Sequence, residues 1–390
     1  SMAVRIKIVI IRLVQICLFF VPLKQNRIIF YANNRKGYVC NPAFLMEAIR
    51  KNYAGEYELI WMTRFPETCE QRDGVTVVRQ RSFACFKYFI RTKYIITNDM
   101  IDEAFVKKAG QIFISTWHGG GAYKKVGISA LSEDAVIRKN FRKWYGRLDY
   151  FVSSCRICTD MYAEAFGLPK QCFLETGTPR NDIFFCAHEE ISRRVRNFYE
   201  IPEQTKILLF APSFQMSAPE KEKYDKDKLV EVAVKLQETT KTPWVILYRS
   251  HYLRDEETPE AKSVLLDGNA YYEMQDLLYA SDVLVTDFSS CIWDFSLTGR
   301  PVLLLEERLE EYKKEDRGFF VPYETWPYLK IRRLDELAAT VTAVVGSDYS
   351  SVYEKHREEM GSFETGSACQ QIINTVLTYR SGKRHERTTQ

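Results

Sequence analysis

From Pro22 onward the chain alternates short apolar runs with helix-patterned stretches, and this alternation limits its possible folds more than any other feature. The runs at 27–31, 57–62, 75–78, 94–97, 111–116 and 150–153 read as buried strands, separated by helical stretches such as 42–51 and 82–91. Runs this apolar and this short belong to a parallel sheet covered by helices on both faces. A charged segment at 187–204, punctuated by Pro202, interrupts the pattern, which then restarts at 206–210, 244–248, 264–266, 283–286 and 302–305. The expected fold is therefore α/β, with two Rossmann-like halves facing across a cleft, one over 26–190 and one over 191–380. With 390 residues, each half has enough chain to bury its own core. Ligands in such folds sit beyond the carboxyl ends of the strands, so the cleft is the expected site.

Composition removes several classes. A formal charge of +4 is small for this length, and no nucleic-acid motif accompanies it, so no nucleic acid is expected as partner. Ten irregularly spaced cysteines suggest reduced thiols rather than a disulfide framework. The pair Cys155 and Cys158 lacks the second pair or nearby histidine that a zinc site needs. Asp225-Lys226-Asp227 imitates a metal-binding triplet but sits in a solvated charge run, so no metal is expected. The tail at 381–390 is basic and is expected to be loose.

Residues 1–25 read as a basic, apolar helix. The stretch 8–23 is broken by Arg12 and Gln15 and flanked by Arg5, Lys7, Lys24 and Arg27. It falls short of the roughly 20 apolar residues a spanning helix needs, and no small-residue cleavage site follows it. Arg5, Lys7, Arg12 and Gln15 share one side of a helix, with Ile8 and Phe19 intruding. Such a helix can lie in the membrane interface, the placement favoured here, or pack against the first half.

Four features stand just past strand ends. In the first, strand 111–116 runs into Trp117-His118-Gly119-Gly120-Gly121. Glycines bring main-chain N–H groups close to an anion, and histidine is the side chain whose pKa lies nearest neutrality, which suggests proton transfer. The second is Ala211-Pro212-Ser213, and the third is Arg249-Ser250-His251-Tyr252, a cation beside a second histidine. The fourth is Thr286-Asp287-Phe288-Ser289-Ser290, which opens a helix where unpaired N–H groups favour phosphate. Each has a plain alternative as a helix cap or a solvated turn, but together they occupy equivalent positions of the expected topology.

These motifs, with Lys124-Lys125-Val126-Gly127, Gly177-Thr178-Pro179-Arg180-Asn181-Asp182, Asp294 and Arg300-Pro301, resemble the CDP-glycerol glycerophosphotransferases of teichoic acid synthesis. They come in that family's order over about 94–301, with a weaker match near 366–368. Gly119-Gly120-Gly121 stands where the family usually has Gly-Thr-Pro, and Phe288 where it usually has Tyr. The resemblance implies a glycosyltransferase-B fold, with an acceptor half and a CDP-donor half. It implies transfer of a polyol phosphate from a CDP-polyol to a hydroxyl of a polyprenyl-linked saccharide acceptor, with release of CMP and no cofactor. His118 matches the family's general base, and His251 with Arg249 the group that stabilises the diphosphate and leaving CMP. Gly119, Gly120, Gly121, Arg180, Pro212, Ser213, Thr286, Asp287, Ser289 and Ser290 match positions around the nucleotide and its phosphates. The length suggests a priming enzyme, and the N-terminal helix a peripheral protein at the cytoplasmic face of the membrane. Whether the donor is CDP-glycerol, CDP-ribitol or another CDP-linked group stays open.

Other readings share parts of this pattern. A nucleotide-sugar glycosyltransferase would have the same fold. The His-Gly-Gly-Gly string resembles the oxyanion hole of lipases, but the chain has no G-x-S-x-G elbow. A non-catalytic nucleotide-binding protein would keep the Ser289 region without needing both histidines.

Overall fold

The computed structural model describes residues 2–32, 35–100, 104–127, 135–213, 224–249, 264–315 and 318–377. His251, with its neighbours Ser250 and Tyr252, and the tail at 381–390 lie outside the described residues. The first half carries strands β1 (Lys24–Tyr31), β2 (Glu58–Thr63), β3 (Val75–Arg79), β4 (Thr92–Thr97), β5 (Ile112–Ser115), β6 (Tyr150–Ser153) and β7 (Phe173–Glu175). Its helices are α1 (Met2–Cys17), α2 (Cys40–Asn52), α3 (Phe83–Phe89), α4 (Ala135–Tyr145) and α5 (Arg156–Phe166). After the linking helix α6 (Glu189–Phe198) come β8 (Lys206–Phe210), β9 (Trp244–Tyr248), β10 (Leu265–Asp267), β11 (Val283–Thr286), β12 (Val302–Leu305) and β13 (Leu329–Ile331). The second half also holds α7 (Lys226–Thr240), α8 (Met274–Ala280), α9 (Cys291–Ser296), α10 (Leu309–Glu315), α11 (Leu337–Val344), α12 (Ser350–Glu359) and α13 (Ala368–Val376).

Both sheets are wholly parallel. Their orders are β3-β2-β1-β4-β5-β6-β7 and β10-β9-β8-β11-β12-β13. Each reverses direction once, between β1 and β4 and between β8 and β11, and such switch points open the crevices in which α/β sheets bind ligands. The expected two-half α/β architecture is observed. The strands absent from the sequence reading, β7 and β13, are edge strands of three residues, too short to show a pattern.

The halves share one interior. Tyr123 of the first half stacks edge-on against Trp326 of the second at 4.7 Å, and a single apolar cluster contains Tyr123, Trp293, Tyr328 and Tyr353. Each such buried side chain contributes about 1.5–3 kcal/mol. The segment after the His118 loop is strapped to the second half, since Phe320 N donates to Tyr123 O and Val321 N to Ala122 O. Helix α13 closes the circuit: Cys369, Ile372, Ile373 and Val376 pack with α2 and the first sheet, although in sequence they end the second half.

Helix α1 is turned inside out relative to an ordinary surface helix. Gln15 is its buried contact, donating to Ala104 O at 2.6 Å and accepting from Val106 N, while Ile6, Val9, Ile10, Leu13, Val14 and Ile16 face outward. Phe20, just beyond it, is 81% exposed. Among the described residues no helix is long and apolar enough to cross a membrane.

Candidate active site

Strand β5 ends at Ser115, and the chain then turns through Trp117, whose φ of 53° lies in the left-handed region. That conformation costs a bulky residue about 1–3 kcal/mol, so the surroundings must hold it. Asn41, at the start of α2, does so by donating from Nδ2 to both Thr116 O and Trp117 O. The indole is gripped by Phe151, Tyr162 and Phe166. The turn delivers His118 to the cleft, its ring 4.3 Å from that of Trp117.

The His118 tautomer follows from one contact. Nδ1 lies 3.0 Å from Asn98 O, a carbonyl that can only accept, so Nδ1 carries the proton and Nε2 keeps its lone pair. Burial lowers the pKa below the ordinary 6.5, and Arg35 and Arg180 lower it further, against the opposing pull of Asp99 and the Asn98 carbonyl. The imidazole is therefore neutral at pH 7, with a lone pair available for a proton.

A cleft of about 210 Å³ lies around it. The first half contributes Arg35, Trp117, His118, Gly119, Gly121, Lys124 and Arg180, and the second Pro212, Ser213, Arg249, Ser289, Ser290 and Asp294. Asp294 is the one acid among the described lining residues, so the wall suits an anion. Ser213 lines the cleft; its N donates to Asp287 Oδ1 at 2.7 Å, while its buried hydroxyl has no partner among the described residues. Ser290 stands at the start of α9 without a capping bond from its side chain.

The structure divides the sequence-derived residues by location. His118, Gly119, Gly121, Arg180, Pro212, Ser213, Arg249, Ser289 and Ser290 meet in the cleft. Thr286 and Asp287 do not line it. The Thr286 hydroxyl donates to Ala211 O at 2.6 Å, and Asp287 accepts from Ser213 N and Phe288 N, so both tie the strand-end loops together. Gly120 does not line it either; a Cβ there would stand 2.3 Å from Trp293 Cδ1, so it is the place where the halves interlock. Arg249 donates to three carbonyls, those of Gly268, Tyr271 and Tyr272. Its pKa is pulled down to about 10 by burial and by Arg35.

Arg35, Lys124 and Gln275 also line the cleft and were missed as site residues. Arg35 follows β1, and the strand-end rule that singled out four other loops applied there equally. Gln275 carries no sequence signal; its role comes from Nε2 donating to Asn181 Oδ1 across the halves.

Comparison with known proteins agrees with this picture. The family model described as CDP-Glycerol:Poly(glycerophosphate) glycerophosphotransferase matches residues 13–378. A teichoic acid poly(glycerol phosphate) polymerase of Bacillus spizizenii is 26% identical over 97% of this chain and 97% of its own length. One of the same name from Bacillus subtilis is 25% identical over 91% of this chain, which spans only 49% of that relative. A solved structure of the wall teichoic acid polymerase TagF superposes with a TM-score of 0.82 at 23% identity, covering 93% of this chain and 91% of that one, and shows the shared glycosyltransferase-B fold. With nearly the whole chain matched and the motifs gathered in one cleft, this protein belongs to the CDP-glycerol:poly(glycerophosphate) glycerophosphotransferase family.

Proposed function

We propose that this protein transfers glycerol phosphate, or a related polyol phosphate, from a CDP-polyol to a hydroxyl of a lipid-linked saccharide, releasing CMP, in the synthesis of teichoic acid or a related polymer. The observation that carries this reading is His118 in a cation-lined cleft that also bears Ser213, Ser289 and Ser290, its Nδ1 held by the Asn98 carbonyl so that Nε2 is the nitrogen left to take a proton. In the reaction Nε2 takes the proton of the acceptor hydroxyl as its oxygen attacks the phosphorus that carries the polyol. The bond from that phosphorus to the bridging oxygen breaks, and CMP departs with the electron pair. Arg35, Lys124 and the strand-end N–H and hydroxyl groups offset the charge that develops. His251, outside the described residues, is assigned to the leaving CMP on its sequence match. The outward apolar face of α1 supports a peripheral position on the cytoplasmic face of the membrane, within reach of a polyprenyl-linked acceptor. Length does not separate the addition of one unit from polymerisation, since a relative matched over 97% of its own length is named a polymerase.

The test is CMP release from CDP-glycerol, CDP-ribitol and UDP-glucose in parallel, with a synthetic lipid-linked disaccharide as acceptor. Acceptor-dependent CMP from one CDP-polyol is the expected result and identifies the donor. Turnover of UDP-glucose alone would replace this reading with a sugar transferase.

A further inference from the structure

The sequence match assigns Arg180 to the donor, but its guanidinium is engaged elsewhere. Nη2 donates to Asp294 Oδ2 at 2.6 Å, and Nη1 donates to His118 O at 3.0 Å and to Cys40 Sγ at 3.4 Å. The Arg180 main-chain N–H donates to Asn41 Oδ1, the same Asn41 that holds the Thr116 and Trp117 carbonyls. Asp294 belongs to α9 of the second half, and Arg180, Asn41 and His118 belong to the first. Asp294 also accepts from Asn181 Nδ2 at 2.9 Å, and Asn181 binds Gln275 and Glu364. The ion pair is nearly dry, with side-chain exposures of 9% and 1%. Burial disfavours the guanidinium charge, but Asp294, Cys40 and Glu273 together outweigh it and hold the Arg180 pKa above its ordinary value.

We propose that Arg180 and Asp294 are positioning residues: the second half, through Asp294, fixes the Arg180 fork, and the fork fixes the His118 carbonyl and with it the base. The base is then in register with the acceptor only while the two halves are docked. The planar fork meets the carbonyl and the carboxylate from two nitrogens at a fixed spacing, whereas a lysine would have to reach both from one nitrogen without that fixed geometry. This inference rests on the reading of His118 as the base, and part of its test does not depend on turnover.

The variant to make is Arg180→Lys, which keeps a buried positive charge opposite Asp294 and so is expected to fold, but loses the bridge. Amide hydrogen exchange should speed up at 117–121 and stay unchanged in β1 and β2, whether or not any donor turns over. In the transfer assay kcat should fall by about tenfold or more while donor Kd by calorimetry stays within about twofold. Asp294→Asn should cost less in the Arg180→Lys background than in the wild type, because two members of one chain of contacts do not add. Unchanged exchange at 117–121 would overturn the proposal, as would additive losses. A donor Kd that weakens in step with kcat would return Arg180 to the donor site. Absence of CMP release from every CDP-polyol in the wild type would overturn the functional reading, leaving exchange to decide the positioning.

Discussion

Replacing Gly120 with alanine separates two explanations of the glycine run. If the glycines serve mainly as a phosphate cradle, a residue that lines the cleft, such as Gly119, should matter more than Gly120. The structure points to Gly120 instead. A Cβ at Gly120 would lie 2.3 Å from Trp293 Cδ1, 2.9 Å from Trp293 Cγ and 3.1 Å from Asp294 Oδ1. An ordinary carbon contact is about 3.5 Å, so the indole must retreat by about 1.2 Å. Trp293 is fully buried and its Nε1 donates to Glu364 Oε1 at 3.0 Å, so it cannot retreat without loss. Overpacking of this kind costs about 1–3 kcal/mol, and the strained hydrogen bond adds about 1 kcal/mol. A Cβ at Gly119 meets Ser290 Oγ at 3.2 Å, and a serine hydroxyl can rotate away. Gly120→Ala should therefore lose about 2–4 kcal/mol, and Gly119→Ala less than about 1 kcal/mol. Urea unfolding followed by circular dichroism reads both. Trp293→Phe, with a smaller ring, should make Gly120→Ala cost less than it does in the wild type. Wild-type stability in Gly120→Ala, or a larger loss in Gly119→Ala, would refute the interlock.

Further expectations concern the two histidines and the cleft serine. His118→Ala should lower turnover by about 10²–10⁴ with donor affinity retained. Because the base must be unprotonated and its pKa lies below 6.5, wild-type kcat/KM should be level through neutral pH and fall only on acidification below 6.5; a limb centred above pH 7 would contradict the assignment. Ser213→Ala removes a hydroxyl with no partner among the described residues, so stability should hold while donor Kd weakens by about 3- to 10-fold, measured by calorimetry. His356 lies 3.0 Å from the Tyr123 hydroxyl, and burial drags its pKa from 6.5 to about 4. It stays neutral in the fold but binds a proton when unfolded, so stability is intact above pH 6.5 and declines by up to about 3 kcal/mol as pH falls toward 4. His356→Gln should flatten that window in pH-resolved unfolding, and an unchanged acid slope would reject the cause.

Much of this protein was legible in its sequence because local rules govern those parts. Strands buried on both faces must be apolar throughout, so β1–β6, β8, β9, β11 and β12 declared themselves, and their alternation with helices implied two parallel sheets. Loops at the carboxyl ends of such strands face the cleft by topology, which is why His118, Ser213, Arg249 and Ser289 are legible in the sequence alone. What each side chain does there depends on contacts between residues far apart in the chain. Gly119 and Gly120 are adjacent and chemically identical, yet one faces the cleft and the other meets Trp293, more than 170 positions away by their numbering. The His118 tautomer hangs on the carbonyl of Asn98, and the engagement of Arg180 on a carboxylate at position 294. In α1 periodicity shows an apolar face but not its direction, and only the burial of Gln15 against 104–106 reveals that this face points outward. Local patterning is enough to define the class of fold and the loops that reach the site; what those residues do depends on the docking of the two halves, because hydrogen-bond partners and steric neighbours exist only once distant segments are packed together.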